Sequence, residues 1–307
     1  MDSFGEIAVF VRVVERRSFT AAAQSLGLTA SGVSRVVSRL EARLGVRLIE
    51  RTTRSLGLTA DGDEYFARCA RILRDLEEAD AAIARSPNGT PRGRLRVDAP
   101  ATLVRLMIAP EVPRFLDAYP DVSLALTLRD QLIDPIAEGI DIVVRMAEPR
   151  DSELLHKKLG AIASVVVASP AYLARHGRPA KPEDLRNHAT FGFVASGQPI
   201  GWRFGELASR FIPTGRLQTN SVDALRFAAL DGQGVASLLE PHVRDDIARG
   251  ALEVILGDDP QPPITIYALY SRQGATLPKV RVFLSFLQEC LRKSTASSTI
   301  KRRSARQ

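Results

Sequence analysis

Residues Ser18–Leu44 read SFTAAAQSLGLTASGVSRVVSRLEARL, two short helical patterns joined by Gly27-Leu28-Thr29. In the first, Phe19, Ala22, Ala23 and Leu26 share one face, with Ser18 placed as N-cap. In the second, Val33, Val36, Val37, Leu40 and Leu44 do the same behind Thr29 or Ser31 as cap. Two apolar stripes on helices joined by so tight a turn predict a helix-turn-helix. Opposite its stripe the second helix carries Ser31, Arg35, Ser38 and Arg39. Short hydroxyls and guanidiniums suit base edges and phosphates in a major groove, which makes double-stranded DNA the first candidate partner. An ordinary αα-hairpin with a solvated basic face would show the same wheel. The flanking sequence weighs against that reading.

Gly45 is placed to end the second helix, and Val46–Thr59, VRLIERTTRSLGLT, alternates apolar and polar residues around Arg51-Thr52-Thr53-Arg54-Ser55. This pattern predicts a small two-stranded wing with Arg51 and Arg54 at its tip. From Ser31 to Ser55 six arginines face only Glu41 and Glu50, an excess of four positive charges. Phosphate is the natural counterpart.

At 307 residues the chain has room for a second domain, and its net charge of +7 favours a polyanionic partner. Part of that charge lies in the tail 294–307, expected to be disordered because it has no apolar periodicity. Cys69 and Cys290 are far apart, each within a helical pattern, and read as small buried hydrophobes in a reducing compartment. The opening MDSFGEIAVFVRVV has no basic flank, apolar run and small-residue cleavage site, and no long uncharged apolar stretch follows. A soluble cytoplasmic protein without a membrane partner is expected.

Within 60–85, Tyr65, Cys69, Ile72, Leu76, Ala79 and Ile83 recur at spacings of four, three, four, three and four, a heptad seam. Such a seam packs either on the protein's own winged unit or on a second copy, and a two-fold dimer would present two recognition helices about 34 Å apart. Ser86-Pro87-Asn88-Gly89-Thr90-Pro91-Arg92-Gly93 is a linker by composition. The sequence thus divides into a winged helix-turn-helix (1–59), a dimerising linker helix (60–85), a hinge linker (86–93), a larger part (94–293) and the tail.

In that larger part Leu95–Asp98, Val122–Leu128 and Ile140–Arg145 read as strands, separated by helices over Leu103–Ala118 and Leu132–Glu138. This βαβαβ order implies a parallel sheet wrapped by helices. A second set follows, with strands Ser164–Ala168, Thr190–Val194, Phe211–Gln218 and Val235–Leu239 and a helix Val222–Asp231. Ile264–Tyr270 and the helix Val280–Leu291 would return the chain to the first lobe, leaving two crossovers as a hinge beside a cleft.

The chain resembles the LysR-type transcriptional regulators along essentially its whole length. The likeness is carried by Phe10-Val11, Ser18-Phe19-Thr20-Ala21-Ala22-Ala23, Leu26, Thr29, Ser31, Val33-Ser34, Leu40-Glu41, Leu44-Gly45, Leu48-Ile49, Arg51, Leu58-Thr59 and Gly62. Further on, Arg92–Val97, Tyr119-Pro120, Ile140–Arg145 and Ala168–Leu173 match the effector-binding half. The resemblance implies an α/β protein with an N-terminal winged helix-turn-helix and a two-lobed, periplasmic-binding-protein-like C-terminal domain. It implies a homodimer, pairing as a dimer of dimers, controlled by a small-molecule effector between the lobes. Base reading falls to Ser31, Ser34 and Arg35, with Arg51, Thr52 and Arg54 near the backbone or minor groove. Ser34 sits about 80° from the centre of the exposed face, so its role comes from the resemblance more than from the wheel. Ala30 and Gly32 depart from the family pattern, which keeps the operator sequence from being transferred.

For the effector, Pro100, Ala101 and Thr102 form the first βα turn, where free backbone N–H groups and a hydroxyl could seat an anion, although Thr102 could equally be a plain N-cap. Arg145 ends a strand, placed either to meet a carboxylate or to form an ion pair. Ser196, Trp202 and Phe204 lie in the loop region that faces the cleft in the family, with Asn220 and Ser221 starting a helix; the lone tryptophan could equally be structural. Together these suggest a small organic acid. His156, His176, His188 and His242 are isolated, and no metal spacing, catalytic order or phosphate loop stands out, so neither a cofactor nor an enzyme is implied. The competing readings are a DNA-architectural protein without sequence preference or ligand, and an enzyme with a docking module, which would need a reactive constellation.

Overall fold

A computed structural model describes residues 3–51, 56–83, 89–129, 135–146, 154–195, 197–205 and 209–296. They form two compact units, one within 1–89 and 134–139, the other within 90–133 and 140–307. Among the described residues no helix is long and apolar enough to cross a membrane.

The first unit contains helices α1 (Ser3–Arg16), α2 (Phe19–Leu26) and α3 (Ala30–Leu44), strands β1 (Ile49–Arg51) and β2 (Leu56–Leu58), and the long helix α4 (Ala60–Ile83). The two stripes read from the sequence meet: Ala22, Ala23, Val33, Val37 and Leu40 share a core with Phe10 and Val13 of α1 and Leu48 beyond α3. Ser18 Oγ accepts from Ala21 N–H at 3.2 Å, and Thr29 Oγ1 accepts from Gly32 N–H at 3.1 Å. Thr29, and not Ser31, is therefore the cap of α3; such caps contribute about 1 kcal/mol each. Both helices end on glycines with positive φ, Gly27 at 64° and Gly45 at 73°, a conformation other residues adopt only under strain. β1 and β2 pair antiparallel in the register Ile49↔Leu58, Glu50↔Gly57 and Arg51↔Leu56. At Gly62 a Cβ would stand 2.0 Å from the Leu48 carbonyl oxygen, so the glycine of the Leu58-Thr59…Gly62 motif is what lets α4 approach the wing.

The heptad seam of α4 has a packed part and an exposed part. Tyr65 and Cys69 pack into the winged unit's own core, whereas Ile72 and Leu76 are 48% and 44% exposed.

From Gly93 on, the elements are β3 (Gly93–Ala99), α5 (Ala101–Leu103), α6 (Val112–Ala118), β4 (Val122–Leu128), α7 (Pro135–Glu138), β5 (Ile142–Arg145), β6 (Leu155–Ile162), β7 (Ser164–Ala168) and α8 (Pro170–His176). They continue with β8 (Thr190–Ala195), β9 (Gln198–Pro199), β10 (Trp202–Phe204), β11 (Ser209–Phe211), β12 (Gln218–Thr219) and α9 (Val222–Leu230). The last are β13 (Val235–Leu239), α10 (Glu240–Ala248), β14 (Glu253–Ile255), β15 (Ile264–Tyr270) and α11 (Pro278–Ala296). One sheet has the order β4-β3-β5-β15-β6 and the other β12-β8-β13-β7-β14. The chain crosses between them at Ala163 and again between β14 and β15, giving the two lobes and two crossovers expected. In β7, Val166 and Ala168 join one apolar cluster and Val167 another, so this strand is covered on both faces.

Several expectations need correction. The first sheet is mixed: β3 runs parallel to β4 and β5, but β15 is antiparallel to both β5 and β6. The helix expected over Leu103–Ala118 is broken into α5, a π turn at Val104–Ile108, a 3-10 turn at Ala109–Glu111 and α6. Pro110 and Pro113 supply no N–H to a continuous α ladder. The strand expected over Phe211–Gln218 is two short strands, because Pro213 lacks a donor and Gly215 passes where a Cβ would meet the Thr190 carbonyl oxygen at 1.9 Å. Strand β6 and helices α8 and α10 were not read from the sequence. α11 runs to Ala296, with the Ser294 carbonyl accepting from Arg244 at 2.8 Å, so the tail does not begin at 294. Residues 297–307 lie outside those described, as do 84–88 and 130–134.

Candidate functional site

The outward face of α3 is built by the packing of its inward one. With Val33, Val36, Val37 and Leu40 buried, Ser31, Arg35, Ser38 and Arg39 are exposed and Ser34 is half-buried at the margin. The Ser31 hydroxyl lies 3.3 Å from the capping Thr29 hydroxyl. Among the described residues Arg35 has no hydrogen-bond or ion-pair partner, leaving its guanidinium available. Arg39 and Arg43 flank Glu6, a carboxylate only 4% exposed: Arg43 Nε donates to Glu6 Oε2 at 3.2 Å and Arg39 Nε lies 3.9 Å from Oε1. A buried acid facing two arginines of the recognition helix ties α1 to it. The only sequence signal was an acidic residue, Glu6, just before the apolar run Ile7–Val11 of the first helix.

The wing is held by a second carboxylate. Glu41 Oε1 accepts from the backbone N–H of Leu48 at 2.9 Å and of Ile49 at 3.1 Å. Thr59 completes the joint, donating to the Arg47 carbonyl at 2.7 Å and accepting from Gly62 N–H at 3.0 Å. Arg51 ends β1, while Thr52 and Arg54 lie outside the described residues.

In the second unit the first βα turn behaves differently from a capped helix. The N-cap position of α5 is Pro100, which offers no side-chain bond, and Thr102 sits inside the first turn with 9% exposure. The backbone N–H groups of this turn have no cap to satisfy them. Arg145 is already committed: its Nη1 donates to Asp98 Oδ1 at 2.9 Å and to the Val144 carbonyl at 2.8 Å, and the side chain is 13% exposed. Asp98 is fully buried, with Arg129 Nε at 3.5 Å from its second oxygen. Ser221 is an N-cap, accepting from Ala224 N–H at 3.3 Å, and the neighbouring Asn220 is exposed. Trp202 and Phe204 are buried in an apolar cluster with Tyr172, Leu173 and Leu185. Their role there is to fill the second lobe. Ser196 lies outside the described residues.

Arg105, Asp223 and His242 were not singled out from the sequence as a group, yet the fold brings them together. Arg105 pairs with Asp223, and its Nη2 is 3.3 Å from His242 Nδ1. No group of three or more His, Cys, Asp or Glu side chains among the described residues could hold a metal ion. Both cysteines are buried, and burial pushes the Cys290 thiol up to about 12, where it is neither nucleophile nor ligand at neutral pH.

Both parts of the chain match known families. Residues 4–63 match the bacterial regulatory helix-turn-helix protein, lysR family, and residues 88–292 match the LysR substrate binding domain. The chain is 37% identical to the HTH-type transcriptional regulator CrgA of Neisseria meningitidis serogroup C, over 92% of this chain and 95% of that one. It is 34% identical to the HTH-type transcriptional activator AaeR of Escherichia coli K12, over 94% of each. The solved structure of CrgA from Neisseria meningitidis superposes with a TM-score of 0.59 at 36% identity, covering 94% of this chain and 98% of that one.

Proposed function

The chain belongs to the LysR family of transcriptional regulators, DNA-binding proteins with an effector-binding domain and not enzymes, and from that premise we propose that it is a sequence-specific regulator answering to a small organic acid. The observation that carries the DNA half is the exposed set Ser31, Arg35 and Arg39 on a helix whose opposite face is buried and whose wing is pinned by Glu41. Ser31, Ser34 and Arg35 read bases; Ser38, Arg39, Arg51, Thr52 and Arg54 hold the backbone. Relatives named as regulators give no support to an architectural protein without sequence preference.

The effector half rests on the uncapped first turn at Pro100, Ala101 and Thr102, where backbone dipoles favour a carboxylate. Arg145 joins such a ligand by exchanging part of its pair with Asp98. Ser196, Asn220 and Ser221 supply polar contacts from the second lobe, and Trp202 and Phe204 shape its wall. Exposed Ile72 and Leu76 support α4 as the dimer contact of a cytoplasmic homo-oligomer, a dimer pairing into a dimer of dimers. The test is a genomic footprint of bound sites, followed by anisotropy on the recovered operator with and without a panel of organic acids. A specific-to-random affinity ratio near one would remove the regulator reading, and indifference to every acid would remove the effector class.

A further inference from the structure

Arg105 sits on the π turn of the first lobe, whereas Asp223 and His242 start α9 and α10 of the second. Their contact therefore bridges the lobes. The His242 side chain is 4% exposed, with Nδ1 3.3 Å from Arg105 Nη2 and Nε2 3.5 Å from Asp223 Oδ1. Nε2 is buried and makes no hydrogen bond among the described residues. An arginine only donates, so Nδ1 must be the bare, accepting nitrogen and a neutral ring carries its proton on Nε2, toward Asp223. A second proton has only Nδ1 to occupy. There it would face the Arg105 guanidinium donor to donor, while the imidazolium competed with Arg105 for the Asp223 carboxylate.

We propose that Arg105, Asp223 and His242 form a latch between the lobes that holds while His242 is neutral and releases when it takes up a proton. The lobe angle then responds to acidity without any effector.

The surroundings favour the neutral ring. Burial is the largest influence and lowers the proton affinity of His242; Asp223 opposes it, Arg105 and Arg226 add to it, and Asp246 opposes it. Asp246 is already engaged by Arg226, whose Nη2 donates to it at 2.7 Å, and by Arg249. The Arg105–Asp223 pair is itself 46% and 37% exposed, and an ion pair so open to water holds little alone. The buried imidazole is the component that couples the latch to pH. In separated lobes the ring regains water and titrates near its ordinary value of about 6.5. Because the latched state holds His242 below that value, latching is fully favoured above about pH 6.5 and weakens, by up to about tenfold per pH unit, as pH falls from there to the lowered one.

The test places spin labels on the exposed positions Asp117→Cys and Arg186→Cys of the full chain, whose native cysteines are buried. Inter-lobe distances are then measured from pH 7.5 to 5. The expected result is one narrow distance at the upper end and a growing wider population in acid. His242→Gln should remove the pH response, and Arg105→Met should give the wider population at every pH. A wild-type distance independent of pH, a His242→Gln protein that tracks the wild type, or an Arg105→Met protein that stays narrow would each overturn the proposal. None of these readings depends on DNA or effector binding, so the regulator reading stands or falls separately.

Discussion

Replacing Glu41 by alanine should undock the wing from α3. The Glu41 carboxylate accepts two backbone N–H groups, of Leu48 and Ile49, and those residues are 1% and 3% exposed. Each bond to a charged acceptor is worth about 1.5 to 3 kcal/mol, and because Glu41 is itself half-buried the lower end applies, giving a loss of roughly 3 kcal/mol. In a unit of this size that corresponds to a fall of roughly 12 °C or more in its unfolding midpoint. The two cysteines make the measurement specific, since Cys69 lies in the core of the first unit and Cys290 in that of the second. Thiol labelling on heating, resolved by peptide mapping, should show Cys69 exposed earlier in Glu41→Ala with Cys290 unmoved. Glu41→Gln keeps an acceptor without the charge and should recover about half of the loss. Binding to all DNA sequences should weaken together, because the wing positions and does not read. A Cys69 midpoint within about 2 °C of wild type in Glu41→Ala would refute the reasoning.

Arg35→Ala should cost roughly 1 to 3 kcal/mol at the operator and relax the preference at one base pair, whereas Arg54→Ala should weaken all sequences alike and flatten the salt dependence. Anisotropy titrations over a panel of operator variants and salt concentrations separate the two. Ile72→Asp combined with Leu76→Asp puts charge on the exposed half of the α4 seam and should yield monomers by sedimentation, with operator affinity lost; a dimeric double variant would place the contact elsewhere. Thr102→Val should abolish the response to an organic acid while basal operator binding persists, read by calorimetry and anisotropy in parallel. Arg145→Ala should also abolish the response, but leaves Asp98 buried with a partner missing and so should lower the thermal stability of the second unit as well.

What the sequence by itself determined is whatever depends on neighbours within about a helical turn. The stripes of α2 and α3, the cap at Ser18 and the glycine stops at Gly27 and Gly45 are set by contacts three or four residues apart, and their spacing is visible in one dimension, whereas the choice of Thr29 over Ser31 as cap of α3 came from the fold. The wing and the two-lobed order were legible for the same reason, since alternation and turn residues mark strands locally. Only the tertiary structure decided what those elements do with their polar groups. Glu41 reaches residues seven and eight positions away, Glu6 a residue 37 away, and Arg105 groups 118 and 137 away. Nothing in the local pattern of Arg145 distinguishes an arginine awaiting a ligand from one held by Asp98, 47 residues earlier. The antiparallel return of β15 against β5 and β6 is likewise silent in periodicity, because an apolar run of this length reads the same whichever way its neighbours point. Folding brought together groups whose chemistry depends on distance in space, and distance along the chain carries no record of it.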